Sequence, residues 1–171
     1  MEKTIYLAGG CFWGVEAYFQ QLAGVLNTEA GYAQGNGLKP TYEQVCTGTT
    51  GYTETVAVIY DDAIISLEVL LGHMFRFVDP FSLNKQGNDV GTQYRSGIYY
   101  VDVADEPIIT TFLATEQQKY DRPFVIEVEP LRNFFVAEPE HQDYLLKNPA
   151  GYCHINLNLV NEEEKKETYR G

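Results

Sequence analysis

The feature that most constrains the fold lies at the start of the chain. A β-type run, Thr4 to Ala8, meets Gly9-Gly10-Cys11-Phe12-Trp13-Gly14, and a helical pattern begins at once. Two glycines permit the tight strand-to-helix turn and let another molecule come close to the backbone. Phe12, Val15, Phe19 and Leu22 then recur at helical spacing, and Gly24 falls where a C-terminal cap is expected. Cys11 is therefore placed at a helix N-terminus, where free N–H groups and the positive end of the macrodipole favour a thiolate over the usual thiol value of about 8.5. That makes Cys11 a candidate nucleophile, with the large apolar faces of Phe12 and Trp13 beside the sulfur. The competing reading is an inert cysteine buried in a glycine-rich turn.

Further along, Val25 to Tyr32 reads as a strand and is followed by a long loop through Gly35, Gly37 and Pro40 toward Cys46 and Gly51. Glu54 to Tyr60 is a second strand of this kind, and Ser66 can cap a helix carrying Leu67, Leu70, Leu71, Met74 and Val78 that ends before Asp79-Pro80. After a second long loop, Phe81 to Arg95, come a strand over Ile98 to Val103, a helix from Pro107 and a strand over Phe124 to Glu129. Glu138 to Lys147 reads as a last short helix, and Gly151 to Val160 as irregular or extended chain. The order βαββαβ, then αβ, predicts an α+β two-layer sandwich with a mixed, mostly antiparallel sheet on the split βαβ, ferredoxin-like plan. Two structureless loops of such length in a compact domain point to function, and both are dense in Tyr, Asp, Glu and Gly.

With 171 residues, 44% of them apolar, the chain can bury one core. It is expected to form a single catalytic domain over 1–160 with a charged, solvated tail over 161–171, in which Glu162 and Lys166 stand at helical pairing distance. A formal charge of −12 argues against a phosphate-backbone partner, and no apolar run is long enough to span a bilayer. Met1-Glu2-Lys3-Thr4 has no signal-peptide character, so the expected compartment is the reducing cytoplasm. Cys11, Cys46 and Cys153 are odd in number and widely spaced, which suits neither a disulfide framework nor a paired zinc motif. Cys153-His154, His73 and His141 make a poor metal set, because adjacent residues on an extended segment face opposite ways. Thiol redox chemistry is the better fit.

Five segments carry a resemblance: Gly10-Cys11-Phe12-Trp13-Gly14; Tyr42 to Gly48 (YEQVCTG); Gln86 to Ser96 (QGNDVGTQYRS); Ala137 to Tyr144 (AEPEHQDY); and Gly151-Tyr152-Cys153-His154. Together, in this order, the chain resembles the peptide methionine sulfoxide reductase A family over nearly its whole length. The resemblance implies reduction of the S epimer of methionine sulfoxide, free or in proteins, without a cofactor. It makes Cys11 the nucleophile that attacks the sulfoxide sulfur and Glu54 the acid that protonates the departing oxygen, with Tyr42 and Tyr94 as phenolic donors. Phe12 and Trp13 would receive the substrate methyl, Asp89 would lie near the bound methionine's backbone, and His141 would lie at the rim.

An acid that must hold its proton near pH 7 needs its pKa raised by burial, so Cys11 and Glu54 are expected to share one proton. Attack leaves a sulfenic acid on Cys11, which condenses with a thiol to a disulfide that thioredoxin or a similar dithiol opens. Cys153 is the expected resolving thiol, with Cys46 or an external thiol as alternatives. Arg95 is free to pair with an internal carboxylate and brace the second loop. Tyr52 stands where the family commonly has histidine, two residues before Glu54. The expected form is a monomer. Two other functions compete: a thiol peroxidase, which has no use for a methyl-binding aromatic pair, and a redox-sensing interaction module, which has no use for an acid.

Overall fold

The computed structural model describes residues 1–170. In β1 (Glu2–Ala8) Ile5 and Leu7 enter the core, while Tyr6 points to the other face and meets Phe134 edge-on at 4.9 Å. Gly10, at φ 95°, makes the turn that follows, and a Cβ there would lie 2.7 Å from His154 Nε2 and 2.8 Å from Gln86 Cβ. Helix α1 (Phe12–Gln20) buries Phe12, Val15, Tyr18 and Phe19. Each large apolar side chain removed from water in this way contributes about 2–3 kcal/mol. The helix ends four residues before Gly24 and is closed by a tightened turn, with Gln21 N donating to Tyr18 O and Leu22 N to Phe19 O. Gly24, at φ 97°, therefore does not cap the helix but turns the chain into β2 (Val25–Ala33).

The first long loop, expected to be irregular, contains α2 (Tyr42–Cys46). Thr41 caps it: its Oγ1 accepts from Gln44 N, and Gln44 Oε1 accepts from Thr41 N. Strand β3 (Thr53–Asp61) leads to α3 (Leu67–Phe77), whose Ser66 cap accepts from Val69 N at 3.2 Å as predicted. The second loop carries a small ribbon, β4 (Lys85–Gln86) with β5 (Asp89–Val90), and one 3-10 turn at Thr92–Tyr94. Strand β6 (Gly97–Tyr100) stops before the predicted Val103, because Asp102 accepts from Ala104 N and starts a turn that launches α4 (Asp105–Gln117) two residues ahead of Pro107. Strands β7 (Glu127–Pro130) and β8 (Phe134–Val136) and helix α5 (Tyr144–Lys147) follow.

The sheet order is β7-β6-β1-β3-β2-β8, and only the β6–β7 pair is parallel. Because β3 lies antiparallel to both β1 and β2, those two run parallel with one strand inserted between them. This is the split βαβ plan, with β6 antiparallel on the far side of β1.

Two further local expectations fail. The helix predicted over Glu138 to Lys147 is broken: Pro139–His141 forms a 3-10 turn, and Asp143 takes the left-handed conformation at φ 53° before α5 starts. The C-terminal segment is not a solvated end. Ala23 N donates to Glu164 O and Lys166 N to Gln21 O, while Arg76 grips both oxygens of Glu164 at 2.8 and 2.7 Å. Glu162 pairs with Lys165 at 3.0 Å, since the backbone bond of Lys166 to Gln21 takes the chain out of helical spacing.

Candidate active site

Cys11 sits at the β1–α1 junction, 5% exposed. Glu54, on β3, is 1% exposed, and its Oε1 accepts from Phe12 N, the first amide of α1, at 3.1 Å. Its other oxygen, Oε2, is buried without a hydrogen-bond partner. Burial pushes this carboxyl up to about 8 against the opposing pull of the Phe12 N–H, with the Asp89 charge adding to the rise. It is therefore mostly neutral near pH 7 and able to donate a proton.

The thiol departs from the expectation. Burial, and next the Glu54 charge, push the Cys11 thiol up rather than down, and the Trp13 N–H at the helix N-terminus only partly opposes them. The dipole argument considered the helix alone. In the fold, desolvation and a carboxylate outweigh it. Sulfur and carboxyl repel as anions and burial raises both, so near pH 7 each keeps its own proton instead of sharing one, and the two titrate as a coupled pair.

The same charges link the remaining groups. Burial and the Glu54 charge raise both Tyr42 and Tyr94, and Tyr94 also feels Asp89 and Cys11, so both phenols remain donors. The structure thus brings Cys11, Glu54, Tyr42, Tyr94 and Asp89 into one cluster. Asp89, on β5, accepts from the Tyr152 hydroxyl at 3.0 Å, which ties the ribbon to the Cys153 segment. Cys153 is half-buried. Its thiol donates to Ile155 O at 3.2 Å, and a Cβ added to Gly14 would come within 3.2 Å of its sulfur. Cys153 therefore lies against the first turns of α1, and its charge acts on Cys11. Cys46 is exposed and in contact with the Tyr42 hydroxyl one turn earlier on α2.

An aromatic wall closes one side. Trp13 stacks on Tyr144 at 3.8 Å with 10° between the planes, and its Nε1 donates to His141 Nδ1 at 3.1 Å. Phe12 lies 5.7 Å from Tyr32 and 6.3 Å from Tyr42. His141 was expected at the rim. It is buried within this wall, 4.3 Å from the Tyr42 ring, and burial lowers its pKa so that the neutral ring accepts from Trp13. The other histidines are also engaged: His73 Nδ1 with the Tyr18 hydroxyl, and His154 Nε2 with Gly9 O.

Three features escaped sequence reasoning. Tyr32 donates to Glu138 Oε1 at 2.7 Å while Glu138 Oε2 accepts from Tyr42 N, so one carboxylate aligns two aromatic residues of the wall. Tyr144 supplies the stacking partner for Trp13. Both Glu138 and Tyr144 lie in a segment that was recognised as a motif, but nothing in the spacing showed their partners. Tyr52 does not face Glu54. Its hydroxyl donates to Leu38 O at 2.8 Å and accepts from Gly37 N, so it pins the first loop instead. Arg95 does brace the second loop, through Glu127 at 2.9 Å and the carbonyls of Gly51 and Thr92.

A buried cysteine at a strand–helix junction, a buried neutral carboxyl beside it, phenolic donors and a second thiol close by define a thiol-dependent oxidoreductase site. A family model described as peptide methionine sulfoxide reductase matches residues 3–171. The chain belongs to the peptide methionine sulfoxide reductase family. It is 56% identical over 163 residues to peptide methionine sulfoxide reductase MsrA of Ureaplasma parvum serovar 3, covering 95% of this chain and 99% of that protein. It is 54% identical to MsrA of Clostridium botulinum, covering 91% and 99%. Among solved structures, reduced Mxr1 of Saccharomyces cerevisiae superposes with a TM-score of 0.85 at 36% identity, over 91% of each chain. Mxr1 in complex with Trx2 superposes at 0.60 and 26% identity, over 84% of each.

Proposed function

We propose that this chain reduces methionine S-sulfoxide, in peptides and as the free amino acid, by the following sequence. The Cys11 sulfur attacks the sulfoxide sulfur and the S–O bond breaks. Glu54 gives its proton to the oxygen, which Tyr42 and Tyr94 hydrogen-bond; with the thiol proton the oxygen leaves as water, so that Cys11 is joined to the substrate sulfur. Water then attacks the Cys11 sulfur, breaks that S–S bond and returns a proton to Glu54, the products being methionine and a Cys11 sulfenic acid. Cys153 then attacks the Cys11 sulfur, water leaves, and the resulting disulfide is reduced by two electrons from a thioredoxin-type dithiol. Phe12, Trp13 and His141 form the wall against which the substrate methyl packs, and Asp89 with Tyr152 borders the site on the other side.

The observation that carries this reading is the state of Glu54: buried, held by one oxygen on the α1 N-terminus, its other oxygen without a partner, and beside a buried thiol. A redox sensor has no use for that acid, and a peroxide reductase has none for the Phe12 and Trp13 wall beside it. No described helix is long and apolar enough to cross a membrane. We take residues 1–160 as one catalytic domain of a cytoplasmic monomer, in a compartment where its cysteines are thiols.

The test is an anaerobic single turnover of prereduced protein with a peptide methionine S-sulfoxide, with methionine counted and cysteine linkages mapped by mass spectrometry. One methionine per chain with a Cys11–Cys153 bridge is expected. Methionine with a Cys11–Cys46 bridge would overturn the resolving step. No methionine would overturn the function.

A further inference from the structure

The sequence of chemical steps uses no residue of α1 beyond Trp13, yet Glu16, one turn further on, is 1% exposed. Both of its oxygens are engaged. Oε1 accepts from Asp143 N at 2.8 Å, and Oε2 accepts from the Thr28 hydroxyl at 2.9 Å. Gln20, the next residue along the same helix face, donates from Nε2 to Thr28 Oγ1 and to Asp143 Oδ1. The four residues form a closed ring, three links through side chains and one through the Asp143 backbone amide, that joins α1 to β2 and to the turn at Asp143.

That turn is conformationally demanding. Asp143 takes φ 53°, a left-handed backbone that costs energy for a side-chain-bearing residue, though less for Asp than for most. Glu16 is the partner of its backbone N–H, so without Glu16 that amide is released to solvent and the turn loses its tie to α1. The turn is also flanked by the two residues that meet Trp13: His141, which accepts its indole N–H, and Tyr144, which stacks on its ring. Trp13 and Glu16 are three residues apart and so share a face of α1. One helix face thus presents the aromatic wall and holds the segment that completes it.

We infer that Glu16 is a positioning residue for substrate binding: by capturing the Asp143 amide it fixes the turn that seats His141 and Tyr144 against Trp13. It touches neither substrate nor reacting atoms. The inference rests on the methionine sulfoxide reading for its kinetic consequence, but its structural consequence is read from Trp13, the single tryptophan of the chain.

The wall is engaged by the substrate before and during reaction, so loosening it removes uniform binding. Glu16→Ala is expected to raise KM for a peptide methionine S-sulfoxide about tenfold and to leave kcat within about twofold, the size that loss of part of an apolar pocket produces. Trp13 emission is expected to shift to the red and to become open to acrylamide quenching in the protein alone. Glu16→Gln keeps an oxygen for the Asp143 amide and is expected to restore KM and emission together. If Glu16→Ala does not melt cooperatively, Thr28→Val, which removes only the donor to Oε2, carries the test, with a KM rise of about threefold at unchanged kcat.

An Ala variant that melts cooperatively with wild-type KM and wild-type Trp13 emission would overturn the inference. So would a Gln variant as impaired as the Ala variant, or, where the Ala variant does not fold, a Val variant with unchanged KM. Altered emission in a protein that reduces no sulfoxide at all would leave the turn's anchoring intact and remove the function assigned to the site.

Discussion

Replacing Glu54 by Gln separates two properties of the site that the wild-type protein couples. Glutamine keeps the shape and an oxygen for the Phe12 N–H, but it has no acidic proton to give. With Glu54 raised to about 8, about nine in ten chains carry the neutral acid at pH 7, so nearly the whole population is competent and the substitution removes the proton source from all of it. The chemical step is expected to slow by about 10²–10⁴, the range for a positioned general acid. In the wild type the same step is expected to fall off as pH rises through about 8, where Glu54 loses its proton, and the Gln variant is expected to lack that limb.

Stability moves in the opposite sense. A carboxyl whose folded value is raised above its unfolded one contributes stability that is fully present below about 4.5 and is lost as pH rises through about 8. The difference corresponds to at most about 5 kcal/mol. Glu54→Gln has no such slope and is expected to be the more stable protein at pH 9. Rapid-quench single turnover measures the first effect, and urea melts between pH 5 and 9 measure the second. Wild-type methionine formation in the variant would refute the acid role, and parallel stability curves would refute the buried neutral carboxyl.

Cys11→Ser is expected to form no methionine in the single-turnover assay. Cys153→Ser is expected to form one equivalent and then stall with oxidised Cys11, whereas sustained thioredoxin-driven turnover would show that another thiol resolves the sulfenic acid. Gly10→Ala meets both a left-handed backbone and the His154 and Gln86 side chains, and a loss of about 2–3 kcal/mol in urea melts is expected. Arg76→Ala releases Glu164, which the guanidinium holds down to about 2. Because the pair is partly exposed, a loss of about 1 kcal/mol is expected at pH 7, with faster amide exchange at Ala23 and Lys166. The contribution of this pair is present above about 4.5 and is lost as pH falls toward about 2.

The sheet and its long helices were legible because they obey local rules: β-type runs of five to nine residues, a Ser66 cap, apolar spacing on α1 and α3. What was not legible depends on partners distant in sequence. The Glu138 to Lys147 pattern reads as a helix by composition, but it is broken where Glu16, 127 positions earlier, holds the Asp143 amide. The tail reads as solvated because it is charged, yet its charges find Arg76 on α3. Two capping boxes were unused local signals, Thr41–Gln44 before α2 and Asn161–Glu164 in the tail. In the site, motif order identified Cys11, Glu54, Tyr42 and Tyr94, and the structure brings them together. The direction of the Cys11 shift could not be read from the helix, because burial and the neighbouring carboxylate come from β3 and the loops. Tyr52 shows the same limit: lying two residues from Glu54 did not place the two side chains together.

The junction at Gly9-Gly10 has a consequence for how motion is distributed. Cys11 is anchored to the end of β1, which has a paired strand on each side, so the amides of Tyr6 to Ala8 are expected to exchange with solvent only when the whole protein unfolds. Of the wall, Phe12 and Trp13 follow Cys11 on α1, whereas His141 and Tyr144 come from residues 139–147, which have no strand partner of their own and can open while the sheet stays closed. The nucleophile and the Phe12–Trp13 side of the seat thus share the slowest-exchanging part of the molecule, and the His141–Tyr144 side lies on a segment that can open by itself. A protein organised in this way is expected to admit oxidised methionines in many local sequences, because one side of the seat yields while the sulfur that must be aligned does not move.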